Sequence, residues 1–597
     1  MATEVRPVAE SPQVRSATLR IWPAVPLLAF LVVAKVCQSF VAEWTRTLFL
    51  LLFFAPLACL ACVGLWWLFA SRAAWRDRFL GIGGVILLGA AALFLADQSM
   101  RGMPFIAFVL PIGGIVFTAA LIALSRFGSR ICTVAALVAA FVAFGYWDLV
   151  RYDGMSGDFQ SEMHWRWQKS AEDEFLANLK TNEHAMPANA PEPLGQVQWS
   201  QFRGPNRDGK APGIVLDVDW KAQAPKEIWR RKVGPAWSSY SVAGNRLFTQ
   251  EQRGEKEVVV CYDAKTGNER WVHESSSRFS EAMGGVGPRA TPTLSGGNLY
   301  ALGAKGLLQR LDPLTGALKW ERDLQKDARP VPPTWGFASS PLVVGDKVIV
   351  YAGGSGEKGL LAYDLETGEP RWSAPAGNES YSSPQLVKLA GRDVILLLTN
   401  TGLTAVDAGT GKLAWLYDWK YEGYRVVQPL LVDRSDILLG TGMGTGTRRL
   451  EVMANKGDVK FEERWTSLDM KPDFNDYVAY NGFLYGLDHN ILCCVDLATG
   501  KKKWKNGRYG NGQILLLPDA GQLLVLSESG ELVLIRATPD KLEELARQKV
   551  LDGKTWNHPV LVGNRLFVRN AEEAACFELP VVGQRPSGRA KNSPNQL

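Results

Sequence analysis

One skeleton, Asp-x-x-Thr-Gly-x-x-x-Trp, occurs five times in this chain, at Asp263–Trp271, Asp312–Trp320, Asp364–Trp372, Asp407–Trp415 and Asp496–Trp504. No other feature restricts the fold as much. The residues ahead of each Asp ("EVVVCYD", "GLLAYD", "ILCCVD") are apolar and often β-branched, which is strand chemistry. Asp accepts hydrogen bonds from the backbone just downstream, Thr does so more weakly, and Gly267, Gly316, Gly368, Gly411 and Gly500 supply the positive φ of a tight turn. The Trp then sits on the returning strand, where a large flat side chain at a fixed place packs one unit against the next.

Successive Trp positions are 49, 52, 43 and 89 residues apart, the last gap being double because Trp465 intervenes after a degenerate "ANKGDVKFEERW". Upstream of each hairpin lies another strand pair with its own Gly-Asp or Gly-Asn turn, so each unit is four short antiparallel strands, the arithmetic of a propeller blade. Seven such units follow one another, and the chain then supplies three strands more in "WNHPVLVGNRLFVRNAEEAACFEL". The missing fourth is available before the first unit, in "KEIWRRKV" with Trp229. The expectation is an all-β, eight-bladed propeller over residues 197–580, closed by pairing of its N- and C-terminal strands so that no edge stays open.

Residues 1–150 are of another kind. They hold 11 Lys/Arg against 6 Asp/Glu, so most of the net charge of +6 lies in an apolar segment rather than in a basic stripe, and nucleic acid is excluded as a partner. Five apolar stretches, about Ile21–Val41, Thr47–Ala70, Phe79–Ala96, Pro104–Leu124 and Ile131–Val150, predict a five-span α-helical transmembrane bundle. Arg6, Arg15, Arg20, Arg72, Arg76, Arg78, Arg126 and Arg130 then share one side, which makes that side cytoplasmic. The rest of the chain is expected on the periplasmic or extracytoplasmic side of the inner membrane. Lys35 reads as snorkelling to the nearby interface, its alternative being a polar site in the bundle. Residues 151–196 read as an amphipathic stretch (Phe159–Lys180), bound for the membrane surface or the next domain, and a Pro-rich linker; residues 581–597 read as a disordered tail.

A propeller binds ligands where its innermost strands begin. Aligning those strands on "SSP", "ATP", "QP" and "HP" gives a ring of equivalent positions: Ser239, Thr291, Ser340, Ser383, Gln428, Asp476 and His558. Around it, Trp237, Arg289, Trp335, Tyr381, Arg425, Asp476 and His558 are the candidate ligand-binding residues of the channel mouth. Cys261, Cys494 and Cys576 share a small-residue packing register with Ala362 and Ala405, so these thiols, and Cys493 beside Cys494, read as packing.

The repeat resembles the tryptophan-docking motif of pyrroloquinoline quinone (PQQ)-type propellers, a group that includes quinoprotein dehydrogenases and the outer-membrane protein assembly factor BamB. "WSQFRGPNRDG", Trp199–Gly209, resembles the lead-in of many bacterial PQQ-like repeat proteins. Two functions follow from the resemblance. One is a binding scaffold for envelope protein or peptide partners, with no catalytic residue. The other is a PQQ- and calcium-dependent dehydrogenase passing electrons to membrane quinone, for which Asp476 would be the base. No second acid stands in register with Asp476 to complete a calcium site, and the first reading is preferred.

Overall fold

The computed structural model describes residues 19–38, 46–157, 160–181, 192–442, 444–455 and 458–583. The chain forms two compact units, one of residues up to Gly154 with Gln160–Gln168, the other of Met155–Phe159 with all residues from Lys169. Most of the expected tail, from residue 584, lies outside the described residues.

The first unit is built from α1 (Ala24–Gln38), α2 (Arg46–Leu65), α3 (Trp75–Leu95), α4 (Leu110–Ala123) and α5 (Ser129–Asp148). π-Helical turns extend α2 through Trp66–Ala70 and precede α4 at Phe105–Val109. Four helices among the described residues, not the expected five, are long and apolar enough to cross a membrane: Leu50–Ala70, Trp75–Leu95, Phe105–Ala123 and Ser129–Asp148. The expected first span is a helix of 15 residues. Ile21–Pro23 form a turn ahead of it, and 15 residues rise only about 22 Å against a hydrocarbon core of about 30 Å. Its expected end, residues 39–41, lies outside the described residues. Lys35 Nζ donates to Ala107 O in the π-turn at 2.7 Å and to Gln38 Oε1 at 2.9 Å. Arg20 N donates to Ser71 O at 2.8 Å, while Ser129 Oγ and Arg130 meet Asp77 at 2.6 and 3.2 Å. These contacts bring Arg20, Arg72 and Arg130 to the same end of the helices.

The second unit is an eight-bladed β-propeller. Its innermost strands are Ser241–Ala243, Thr293–Ser295, Leu342–Val344, Gln385–Leu389, Leu430–Leu431, Val478–Tyr480, Gln513–Leu517 and Val560–Val562. Each blade runs outward in sequence order, except that the eighth takes Lys226–Lys232 as its outer strand. That strand pairs antiparallel with Glu573–Glu578, Cys576 opposite Trp229, which is the expected closure. The first blade gains a fifth strand, Val197–Trp199, on its inner edge.

The repeat turns are hydrogen-bonded as their residues dictate. Asp364 Oδ1 accepts from Glu366 N (2.9 Å), Thr367 N (2.8 Å) and Thr367 Oγ1 (3.1 Å), and Asp263 and Asp407 repeat the pattern. The Thr367 N–H, then the Arg371 guanidinium, hold the Asp364 carboxyl down at about 2. Each glycine that follows has φ between +70° and +74°. There the indole of the preceding blade lies flat on the glycine: a Cβ on Gly316 would stand 2.5 Å from the Trp271 ring, and one on Gly368 2.8 Å from that of Trp320. Gly267 receives Trp229, Gly411 receives Trp372 and Gly500 receives Trp465 in the same way. The indole N–H of Trp229, Trp271, Trp320 and Trp465 donates to the carbonyl just after the Asp of the next blade, Trp271 to Pro313 O at 3.0 Å and Trp320 to Leu365 O at 2.9 Å, whereas Trp372 Nε1 has no partner among the described residues. Where the turn is degenerate the dock changes partner, and Trp415 packs on Phe461 at 5.3 Å.

Helix α6 (Ala171–Thr181) lies in the second unit. Its Phe175 is buried under the Arg253 guanidinium, 5.1 Å from the ring centroid, and Glu172 pairs with Arg278 at 2.9 Å. Of the expected amphipathic stretch, this C-terminal helix docks on the propeller, whereas Gln160–Gln168 belong to the first unit and Phe159 lies outside the described residues.

Two predictions follow for the blade joints. Trp271→Ala should cost about 3–5 kcal/mol of propeller stability, and Gly316→Ala should weaken the same joint, with the double variant less destabilised than the sum, as read in denaturant unfolding. Glu257 in the first blade is buried and accepts Ala304 N of the second at 3.1 Å; burial pushes its carboxyl up to about 7. A raised folded pKa means the folded state holds the proton longer, so this stabilisation is present below about 4.5 and is lost as pH rises through about 7. Glu257→Gln should flatten that slope in thermal unfolding measured from pH 5 to pH 8.

Candidate functional site: the channel and its mouth

The ring of positions at the start of the innermost strands is a chain of hydrogen bonds from blade to blade. Ser239 N donates to Thr291 Oγ1 (3.0 Å), Thr291 N to Ser340 Oγ (2.9 Å), Ser340 N to Ser383 Oγ (2.9 Å) and Ser383 N to Gln428 Oε1 (2.9 Å). Gln428 N then donates to Asp476 Oδ1 at 2.7 Å, and across the closure Ser239 Oγ donates to His558 O at 2.6 Å. Each side chain satisfies a buried amide that has no partner in its own sheet. In the seventh blade Gln513 reaches Trp556 O of the eighth at 3.1 Å.

The lead-in segment enters the channel beneath this ring. Leu516 N donates to Gly209 O and Ala211 N to Leu516 O, while Leu294 N donates to Ser200 O. Arg203, 1 % exposed, donates to Tyr477 O at 2.9 Å and stands 3.5 Å from the Asp476 carboxylate. Burial raises the Asp476 carboxyl, and the Arg203 charge and the Gln428 N–H pull it back. Burial, then the same Arg203, pushes the His558 imidazole down to about 3, so this histidine is neutral. Arg207 is equally buried and donates to Gln201 Oε1, Pro384 O, Ser340 O and Pro341 O, tying the segment to the third and fourth blades. Without a countercharge its guanidinium is pushed down to about 9 by burial. Arg203 and Arg207 both adopt positive φ, near 60° and 56°, which non-glycine residues rarely do.

Above the ring the mouth is aromatic. Trp335, Tyr381 and Tyr424 cluster with centroids 4.3–5.7 Å apart, and Tyr381 Oη accepts Trp335 N at 3.1 Å. Trp237, Trp556 and Phe474 form a second cluster, with Lys554 Nζ 5.0 Å from the Trp556 ring. Arg289 pairs with Glu281 at 2.8 Å and stacks over Phe279. Trp237 Nε1 donates to Gly284 O at 2.7 Å. Arg425 lies buried between Trp419 and Tyr421 and bonds Thr441 Oγ1 and Trp419 O; burial pushes it down to about 10. The candidate residues thus divide: Trp237, Arg289, Trp335 and Tyr381 border the mouth, whereas Asp476 and His558 lie in its floor and Arg425 is enclosed between blades. Sequence reasoning missed Tyr424, Phe474 as a cluster member, Lys554 and the two channel arginines; the double arginine in a Gly- and Pro-rich segment was the available signal for the last pair.

Cys493 and Cys494 are free thiols on opposite faces of one strand, packed in separate clusters, and burial pushes Cys494 up to about 12. Among the described residues no group of three His, Cys, Asp or Glu side chains is placed to hold a metal ion. With Asp476 committed to Arg203 and Gln428, the residues of the mouth do not fit a calcium–PQQ pair.

Comparison with known proteins adds sequence-level support. The family profile described as outer membrane protein assembly factor BamB matches residues 217–351 and 331–506, within the blades. The propeller is of the PQQ-like repeat type. It is similar to BamB of Burkholderia pseudomallei, 26% identical over 59% of this chain and 86% of that protein. It also resembles quinohemoprotein alcohol dehydrogenase ADH-IIG of Pseudomonas putida, 30% identical over 27% of this chain and 22% of that protein. Among solved structures, BamB from Moraxella catarrhalis aligns with TM-score 0.43 and 15% identity over 60% of this chain and 99% of that chain. The helices of the first unit lie outside the matched profile.

The floor of this PQQ-like mouth yields a prediction. Asp476→Ala leaves the Arg203 guanidinium buried without a countercharge and should cost about 3–5 kcal/mol. Replacing both, as Asp476→Ala with Arg203→Met, should recover part of that loss in a double-mutant cycle.

Proposed function

We propose that this chain is a membrane-anchored PQQ-like propeller that binds protein or peptide partners as a scaffold at the extracytoplasmic face of the inner membrane. One observation carries the reading. The channel residues that a dehydrogenase would use are spent on holding the blades together, and the chain's own Trp199–Lys210 segment fills the channel beneath them. What is left to meet a ligand is the aromatic mouth and the blade surfaces, which suit protein partners. The likeness to BamB, whose name makes it an outer membrane protein assembly factor, supports envelope proteins as those partners.

The sidedness rests on arginines. Arg72, Arg76 and Arg78 lie between α2 and α3, and Arg126 and Arg130 between α4 and α5. With both loops cytoplasmic, the end of α5 and everything after it is outside the cytoplasm, whether or not α1 crosses. The four long apolar helices supply the anchor.

A second reading, a PQQ- and calcium-dependent dehydrogenase, is favoured by the 171-residue likeness to the quinohemoprotein enzyme. The two readings part in one experiment. Full-length protein purified in detergent is titrated with PQQ and calcium and assayed by dye reduction with alcohols and sugars, and in parallel is cross-linked in intact membranes. The scaffold reading expects no saturable quinone fluorescence change, no turnover and recovery of envelope proteins on the propeller. Saturable PQQ binding with turnover would overturn it.

A further inference from the structure

The mouth is already engaged, by the chain itself. Met155, Ser156 and Gly157 belong to the propeller unit although they are distant from the blades in sequence. Met155 N donates to Met283 O at 3.0 Å, in the hairpin Ser280–Glu281 with Gly285–Val286 that borders the mouth. Met155 O accepts from Lys554 Nζ at 3.1 Å, and Gly157 N donates to Glu528 Oε1 at 2.6 Å. In an extended chain the N–H and C=O of one residue and the N–H two residues on lie along the same edge. Three main-chain groups of this edge are bonded, from Met155 at the end of its strand to Gly157 entering a turn, so the propeller holds the backbone of this segment.

The receiving groups are built in. Glu528 also accepts Trp556 Nε1 at 2.9 Å and Asn511 N at 3.0 Å, which fixes its carboxylate between the entries to the seventh and eighth blades. Lys554 is held over Trp237 and Trp556. Gly157 sits so close to Asn511 that a Cβ on it would stand 1.8 Å from Asn511 Nδ2. Asn511 is 2 % exposed, and among the described residues its Oδ1 has no hydrogen-bond partner, a buried acceptor beside the segment.

We propose that the channel mouth is a binding site for an extended peptide main chain with a glycine at the position of Gly157, and that Met155–Gly157 occupies it as an internal ligand. The proposal rests on the scaffold reading above and adds to it a ligand class and a means of control: a partner strand must displace the internal one. Tethering gives the internal segment an effective concentration of about millimolar, so a free peptide competes poorly until the segment is released.

The test uses the full-length chain and a fluorescein-labelled synthetic peptide of residues 151–157, followed by anisotropy. Gly157→Val in the protein should eject the internal segment and raise the affinity for the labelled peptide at least about tenfold over the unaltered chain. Adding Glu528→Ala should abolish that gain, and a peptide carrying the same Gly157→Val change should not bind. Equal binding by the unaltered and Gly157→Val proteins, or binding that survives Glu528→Ala, overturns the proposal. A second measurement does not depend on how Gly157→Val folds. Glu528→Ala alone should speed amide exchange at Ser156 and Gly157 at least about tenfold, since it removes the acceptor of the Gly157 amide. Unchanged exchange overturns the proposal equally. If the peptide fails to bind while envelope proteins are still cross-linked to the propeller, this inference falls and the scaffold reading stands; the reverse pattern removes the scaffold reading.

Discussion

The propeller depends on an indole lying flat on a glycine. Each docked Trp covers the turn of the next blade, and the turn must present bare backbone there. Asp and Thr tie the turn down, glycine takes the positive φ, and the absent Cβ leaves the space the ring fills. A hydrogen bond from the indole N–H to the carbonyl after the Asp adds direction to what would otherwise be a nonspecific apolar contact. The angle between neighbouring blades is thus fixed at the outside of the wheel, and the number of blades that closes it follows.

At the hub the same problem is solved with polar groups. Innermost strands are short, and the amides at their starts have no strand beside them. Ser, Thr, Gln and Asp on the neighbouring blade take their place, so side chains that look like a ligand site in the sequence are the inner bracing of the wheel. Arg203 and Arg207 extend that bracing along the axis by bonding carbonyls of several blades at once. Asp476, the carboxylate of this ring, belongs to the same bracing, held by Arg203 and by Gln428 N.

The blades, the docking tryptophans and the Trp229 latch were legible because each is a local pattern repeated at intervals, and the alignment of innermost strands found the ring. Its purpose was not legible, because the donor and acceptor of each bond, Ser239 and Thr291 for example, are about fifty residues apart and neither has a distinctive motif. The channel arginines lay in a segment recognised only as a lead-in, and the double arginine of "FRGPNR" was its one hint of an axle rather than a surface loop. Among the described residues the first apolar helix is shorter than its expected span, because hydropathy counts residues and does not see where a turn at Ile21–Pro23 begins the helix. The Gly157–Glu528 contact joins residues 371 apart and leaves no periodic trace.

The latch has a consequence for how the wheel is made. Lys226–Lys232 leaves the ribosome before any blade is complete, yet its partner, Glu573–Glu578, follows only after the seven preceding blades. Until then the first half of the seam has no partner and is an open strand edge, competent to pair with whatever extended chain is near. A wheel of this kind cannot ripen gradually from one end; it stays an arc until the final hairpin arrives, and a chain truncated by even one strand would remain sticky at both rims.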